Sequence, residues 1–180
     1  MKVIGFCGLP GSGKSTALKA IQDLGIIINM GDIVRDEAER RNLHPNDQNL
    51  GEIAKELREK HGKNIIAKKC VQLIKSMKAE VVFVDGIRSA YEIDVFRKHW
   101  KFPVIEIATK NAIRYKRILG RSRSDDPIAL SNIIERDDRE IEFGIKEVLS
   151  LADYKIVNNS TKEKLNRKTR KLLLKVLKNY

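Results

Sequence analysis

The sequence predicts an α/β domain of three layers, a five-stranded parallel sheet with helices packed on both faces. Three observations lead there. Five short apolar runs, "KVIGFC", "IIIN", "VVFVD", "VIEIA" and "YKIVN", lack the inside–outside alternation of half-exposed strands, as strands buried on both faces do. The segments between them carry apolar residues at helical spacing. The first run also passes directly into a glycine-rich turn and then into a helical pattern. Alternating strands and helices wind through right-handed crossovers, and the strands then lie parallel.

Taken in order, "KVIGFC" is the first strand and "GLPGSGK" the turn after it. A helix follows from Lys14 to about Leu24, stopped by Gly25. "IIIN" is the second strand. Asp32 is a candidate N-cap for a helix to about Arg41, and Pro45 breaks it. Two more helices fit about 47–60 and about 64–78, with Gly62 between them. "VVFVD" is the third strand and ends in Asp85. A helix covers about 89–99, and "VIEIA" follows Pro103 as the fourth strand. Helices flank the charged stretch "RILGRSRSDDP" on both sides. "YKIVN" is the last strand and leads into a terminal helix. The three consecutive helices between the second and third strands break the alternation. An insertion there can form a lobe over the C-terminal edge of the sheet, where ligands of this architecture bind.

The 180 residues suit one domain with a full core. With 42% hydrophobic and 33% charged residues, a folded chain is expected and disorder is not. No apolar run approaches the ~20 residues that span a bilayer. The basic, then apolar "MKVIGFCG" is cut off by "GLPGSGK" too early for a signal peptide. The expected location is therefore the cytoplasm. Cys7 and Cys70 match no zinc or redox spacing, and read as buried small hydrophobes. His44, His61 and His99 have no metal-ligand spacing.

"GLPGSGKS", Gly8 to Ser15, is GxxxxGK[ST] in the strand–turn–helix context that motif needs. Gly8, Gly11 and Gly13 let the backbone of Leu9, Pro10 and Ser12 curl around phosphate oxygens. The helix start at Lys14 and Thr16 adds a positive dipole end. Lys14 reaches the β/γ-phosphates of ATP, and the Ser15 hydroxyl faces Mg²⁺. Asp85, at the end of an adjacent apolar strand, is the companion metal residue. These residue types predict binding of Mg-ATP.

Several motifs, in order, resemble the P-loop nucleoside monophosphate kinase superfamily over almost the whole chain. They are "GLPGSGKST", "MGDIVRDE", "DGIRS", "RSRSDDP" and "ADYKIVNNS". The overall pattern is most similar to archaeal adenylate-kinase-related, dephospho-CoA-kinase-like proteins. The resemblance implies a P-loop kinase fold with its core at 1–31, 79–116 and 128–180. It also implies a helical acceptor-binding lobe at 32–78 and a short lid at 117–127. "DGIRS" is shorter than its counterpart and lacks a proline there, and either Arg136 or Arg139 could serve as the helix arginine after the lid. By the same resemblance, Arg117, Arg121 and Arg123 form a phosphate clamp. Arg117 and Arg121 share a helical face by spacing, and arginines suit the charge of phosphoryl transfer. Asn158, Asn159 and Ser160 would line the adenine edge.

The acceptor is open at this level. Arg35 and Arg88 suit an acceptor phosphate, such as that of a nucleoside monophosphate. Asp32 suits a hydroxyl acceptor, as in dephospho-CoA, by taking its proton. The partners expected are ATP and a small-molecule acceptor, with no membrane. The net charge of +12 raises a third class, a nucleic-acid-associated P-loop ATPase. The final segment 161–180 holds eight Lys/Arg and one Glu. Its leucines read first as the inner stripe of a terminal helix with solvated lysines opposite, ahead of an RNA- or membrane-surface role.

Overall fold

The computed structural model describes residues 1–120 and 130–180. The strands are β1 (Lys2–Cys7), β2 (Ile26–Asn29), β3 (Val81–Asp85), β4 (Val104–Ala108) and β5 (Tyr154–Val157). The helices before β3 are α1 (Lys14–Lys19), α2 (Met30–Arg40), α3 (Asp47–His61) and α4 (Ile65–Ser76). After it come α5 (Ala90–Arg97), α6 (Asn111–Leu119), α7 (Leu130–Glu142), α8 (Ile145–Ser150) and α9 (Lys162–Lys178). All strand pairings are parallel, in the order β2-β3-β1-β4-β5. This is the expected five-stranded sheet between two helical layers. Chain direction across the sheet reverses beside β1, so the loop leaving β1 opens at the switch point where ligands bind.

Strand period two divides the core. Ile4 and Phe6 of β1 face one layer, with Phe83, Ile105 and Ile107, against α1 and against Leu165, Leu173 and Val176 of α9. Val3 and Cys7 face the other, with Val82, Val84 and Val104, against α2, α3, α4, α5 and α8. The insertion α2–α4 shares that second core: Val34, Ile53, Leu57, Cys70 and Ile74 belong to the same apolar cluster as the sheet. α9 docks as its leucine stripe predicts. No helix of the described residues is long and apolar enough to cross a membrane.

Two local expectations are corrected, and one short helix is added. α2 starts at Met30, and its cap is Asn29, whose Oδ1 accepts from the Gly31 N–H at 2.8 Å. Asp32 therefore lies in the first turn, because β2 runs straight into the helix. α1 ends at Lys19, and tight i to i−3 hydrogen bonds from Ile21 (3.0 Å) and Leu24 (2.9 Å) carry the chain on. α8 is a separate helix, set off from α7 by Gly144 at φ 102.

Candidate active site

Gly8, Gly11 and Gly13 all have positive φ (145, 75 and 105), where a side chain is strained. Space forbids one as well. A Cβ on Gly13 would lie 2.3 Å from Asn158 Nδ2, and one on Gly11 would lie 2.8 Å from the Arg114 carbonyl oxygen. The loop is strapped down by its carbonyls. Lys14 Nζ donates to Gly8 O at 2.7 Å, and Arg114 Nη1 donates to Pro10 O at 2.7 Å. Ser12 O accepts from Asn158 Nδ2 at 2.7 Å and from Thr109 Oγ1 at 2.8 Å. Beneath the loop, burial pushes the Cys7 thiol up to about 12, offset in part by Lys14. The thiol stays protonated and is no nucleophile.

A cavity of about 540 Å³ opens above the loop, within the range of small-ligand sites. Gly8, Pro10, Gly11, Ser12, Gly13, Lys14, Ser15 and Thr16 line one side. Asp85 borders it from the end of β3, where the register sets it opposite Phe6 of β1. Arg35 of α2, Arg88 after β3, Arg117 of α6 and Arg136 of α7 also line it, as do Asn158 and Ser160. A smaller pocket of about 50 Å³ adjoins it between α2, α3 and α7. The two share Arg35, Arg88 and Arg136, and the smaller has an apolar wall of Met30, Val34, Leu50 and Ile66.

Three of these arginines are each held by a carboxylate. Arg35 pairs with Asp32 at 2.7 Å, Arg88 with Glu140 at 3.1 Å, and Arg136 with Asp47 at 3.2 Å. The Arg88 backbone N–H donates to Glu92 at 2.8 Å, and Glu92 is fully buried against Arg58 at 2.9 Å. Arg117 reaches the Asn158 carbonyl at 3.3 Å.

Not every expected residue meets the cavity. The Asp32 side chain is 62% exposed and is absent from the lining, so the candidate proton acceptor lies outside. Leu9 packs against the core, and Asn159 Oδ1 turns away to accept from the Lys110 N–H at 3.1 Å. Arg121 and Arg123 lie outside the described residues. Of the two helix arginines left open, Arg136 borders the main cavity and Arg139 pairs with Asp47 behind it.

Arg114 was missed. It is 1% exposed and bonds Asp137 at 2.5 and 3.2 Å, Asn111, and the loop at Pro10. One buried guanidinium thereby joins α6, α7 and the glycine-rich loop. Its spacing on α6 gave no signal, since a charged helix residue is ordinarily a surface residue.

Loop, sheet order and cavity together define a P-loop nucleotide-binding protein with a kinase-like fold. Residues 4–142 match a family model described as an AAA domain. The chain belongs to the UPF0200 family. It is 38% identical over 178 residues to the UPF0200 protein of Methanothermobacter thermautotrophicus, covering 98% of this chain and 91% of that one. It is 44% identical over 184 residues to a UPF0200/UPF0201 protein of Archaeoglobus fulgidus, covering 99% of this chain but spanning 57% of that longer protein. Among solved structures, TT1252 from Thermus thermophilus superposes with TM-score 0.66 at 17% identity, covering 97% of each chain. Shikimate kinase from Acinetobacter baumannii superposes with TM-score 0.61 at 15% identity, covering 99% of this chain and 94% of that one. At such identities the likeness concerns the fold.

Proposed function

We propose that the protein is an ATP-dependent phosphotransferase that moves the γ-phosphoryl group of Mg-ATP to the phosphate of a nucleotide-like small molecule. The observation that carries this is the convergence on one cavity of the phosphate loop and three arginines from three separate elements. ATP phosphates would take the loop side, with Lys14 turning from the Gly8 carbonyl to the β/γ-phosphates. The acceptor would take the side of Arg35, Arg88 and Arg136, where bidentate contacts suit phosphate oxygens. Its flat, apolar part would rest against Met30, Val34 and Leu50.

The residues present fit magnesium. Ser15 and Asp85 offer a hydroxyl and a carboxylate on one rim, and Mg²⁺ takes one or two such ligands together with substrate phosphates and water. No trio of His, Cys, Asp or Glu among the described residues forms an all-protein cage. When bound, the ion would neutralise phosphate charge during transfer. Arg117, with Arg121 and Arg123 of the segment 117–127, would surround the transferring group with positive charge. Asn158 and Ser160 would meet the nucleotide's adenine side.

An anionic acceptor needs no strong base, and the position of Asp32 outside the cavity favours it over a hydroxyl acceptor. The test is ADP release from Mg-ATP with AMP, CMP, UMP, GMP, dephospho-CoA or RNA added singly. Acceptor-dependent ADP with a nucleoside monophosphate supports the reading. ADP with dephospho-CoA alone would move it to hydroxyl transfer, and stimulation by RNA alone would make the protein a nucleic-acid-dependent ATPase.

A further inference from the structure

The outer face of the basic C-terminal helix has no role in the reaction proposed above. Lys164, Arg167, Lys171, Lys175 and Lys178 recur at three- and four-residue intervals along α9 and are all exposed. At 1.5 Å rise per residue they form one stripe about 21 Å long, with charges about 4.5–6 Å apart. Among the described residues none of the five has an acidic partner. Some cations elsewhere on the surface do have acidic partners. Arg41 pairs with Glu37 and Glu56, Lys60 with Glu56, and Arg97 with Asp153. Arg170, on α9 but off the stripe, pairs with Asp23. Like charges at these spacings destabilise a helix, so the stripe carries a cost with no return in folding.

The helix is fixed in place. Leu165, Thr169, Leu173 and Val176 are buried, and Arg170 clips α9 to the turn after α1 through Asp23. The apolar face that a membrane-surface helix would insert is therefore already used against the sheet. What remains is a rigid row of cations with one protruding apolar residue, Leu174. Lys162, in the first turn of α9 but off the stripe, borders the nucleotide cavity. We infer that the outer face of α9 docks the phosphate backbone of a nucleic acid, by charge and without base readout. This does not rest on the phosphotransferase reading.

The test is fluorescence anisotropy with a labelled single-stranded RNA, a DNA duplex, and vesicles containing anionic lipid, each from 50 to 200 mM salt. Five phosphate contacts predict a log–log salt slope of about −3.5 for the single strand, or roughly 100-fold weaker binding across that range. Changing all five stripe residues to Gln keeps helix propensity and should weaken binding by about 100-fold with a melting temperature unchanged or slightly raised. A control removes the same charge elsewhere, with Lys55, Lys63, Lys75, Lys98 and Lys146 changed to Gln, and should lose only a few-fold. Equal losses in both sets would mean diffuse net charge and overturn the proposal. So would binding of vesicles but of neither nucleic acid, or no binding at 50 mM salt. These readouts need no phosphoryl transfer, so failure of the proposed reaction leaves them intact.

Discussion

Replacing the buried Arg114–Asp137 pair separates what it does for folding from what it does for the nucleotide loop. Arg114 is 1% exposed and the Asp137 side chain 11%. Removing Asp137 alone strands a buried guanidinium, a change that costs about 3–5 kcal/mol in such pairs. For a domain of this size each kcal/mol is about 2–4 °C, so Asp137→Leu should lower the melting temperature by roughly 6–20 °C. Adding Arg114→Met exchanges the ion pair for apolar volume, which is often neutral or stabilising. The double variant should melt within a few degrees of the parent. It cannot restore the 2.7 Å bond to the Pro10 carbonyl. A charge-assisted hydrogen bond is worth about 1.5–3 kcal/mol, so affinity for a fluorescent ATP analogue should stay about 10–150-fold weaker. Melting and analogue titration on the parent, the single and the double variants decide the matter. A double variant that recovers both stability and nucleotide affinity would show that the pair serves packing alone.

Four further outcomes are expected. Lys14→Ala should abolish transfer and leave melting nearly unchanged, since its Nζ contacts the loop and not the core; a folded, fully active variant would sink the P-loop mechanism. Arg88→Ala should raise the acceptor KM by about 10–150-fold through loss of a charged contact, whereas Asp32→Asn should change kcat less than about twofold; a large kcat loss in the Asp32 variant would point to a hydroxyl acceptor. The double change Arg121→Ala, Arg123→Ala should lower single-turnover rates far more than ATP affinity, and unaltered rates would make that stretch ordinary surface. Cys7 and Cys70 are buried with thiols pushed up to about 12 by burial, so a thiol reagent near pH 8 should label them only at the rate of unfolding; fast labelling of the native protein would contradict their burial.

Sequence patterns reached furthest where the cause of structure is local. "VVFVD" and "VIEIA" are strands buried on both faces, and their lack of alternation follows from that burial. α9 was legible because Leu165, Leu173 and Val176 repeat at helical spacing and meet one surface. The cap of α2 was misplaced because Asn29 and Asp32 are both good caps. Which one acts depends on where β2 stops, and pairing with β3 sets that, with Asn29 opposite Asp85. The break at Gly144 was hidden for a similar reason. A glycine near the end of a helical pattern is compatible with several backbone paths, and packing against the β3–α5 loop selects the left-handed one.

The site divides along the same line. The loop from Gly8 to Ser15 was readable because its residues are consecutive and their chemistry admits few other uses. Arg136 and Arg139 could not be told apart, since one turn of α7 separates them and both pair with Asp47 of α3. The carboxylate partners also bear on how the cavity would discriminate under the proposed reaction. Arg35, Arg88 and Arg136 already have Asp32, Glu140 and Asp47 as partners. A neutral acceptor would compete poorly for Arg88 and Arg136, because breaking these partly buried ion pairs would leave charges poorly compensated. A phosphate near two negative charges with three equivalent oxygens can take the place of a monovalent carboxylate at each arginine. Under the proposed reaction, selectivity for an anionic acceptor would follow from this exchange of partners, with the carboxylates holding the arginines in position for it.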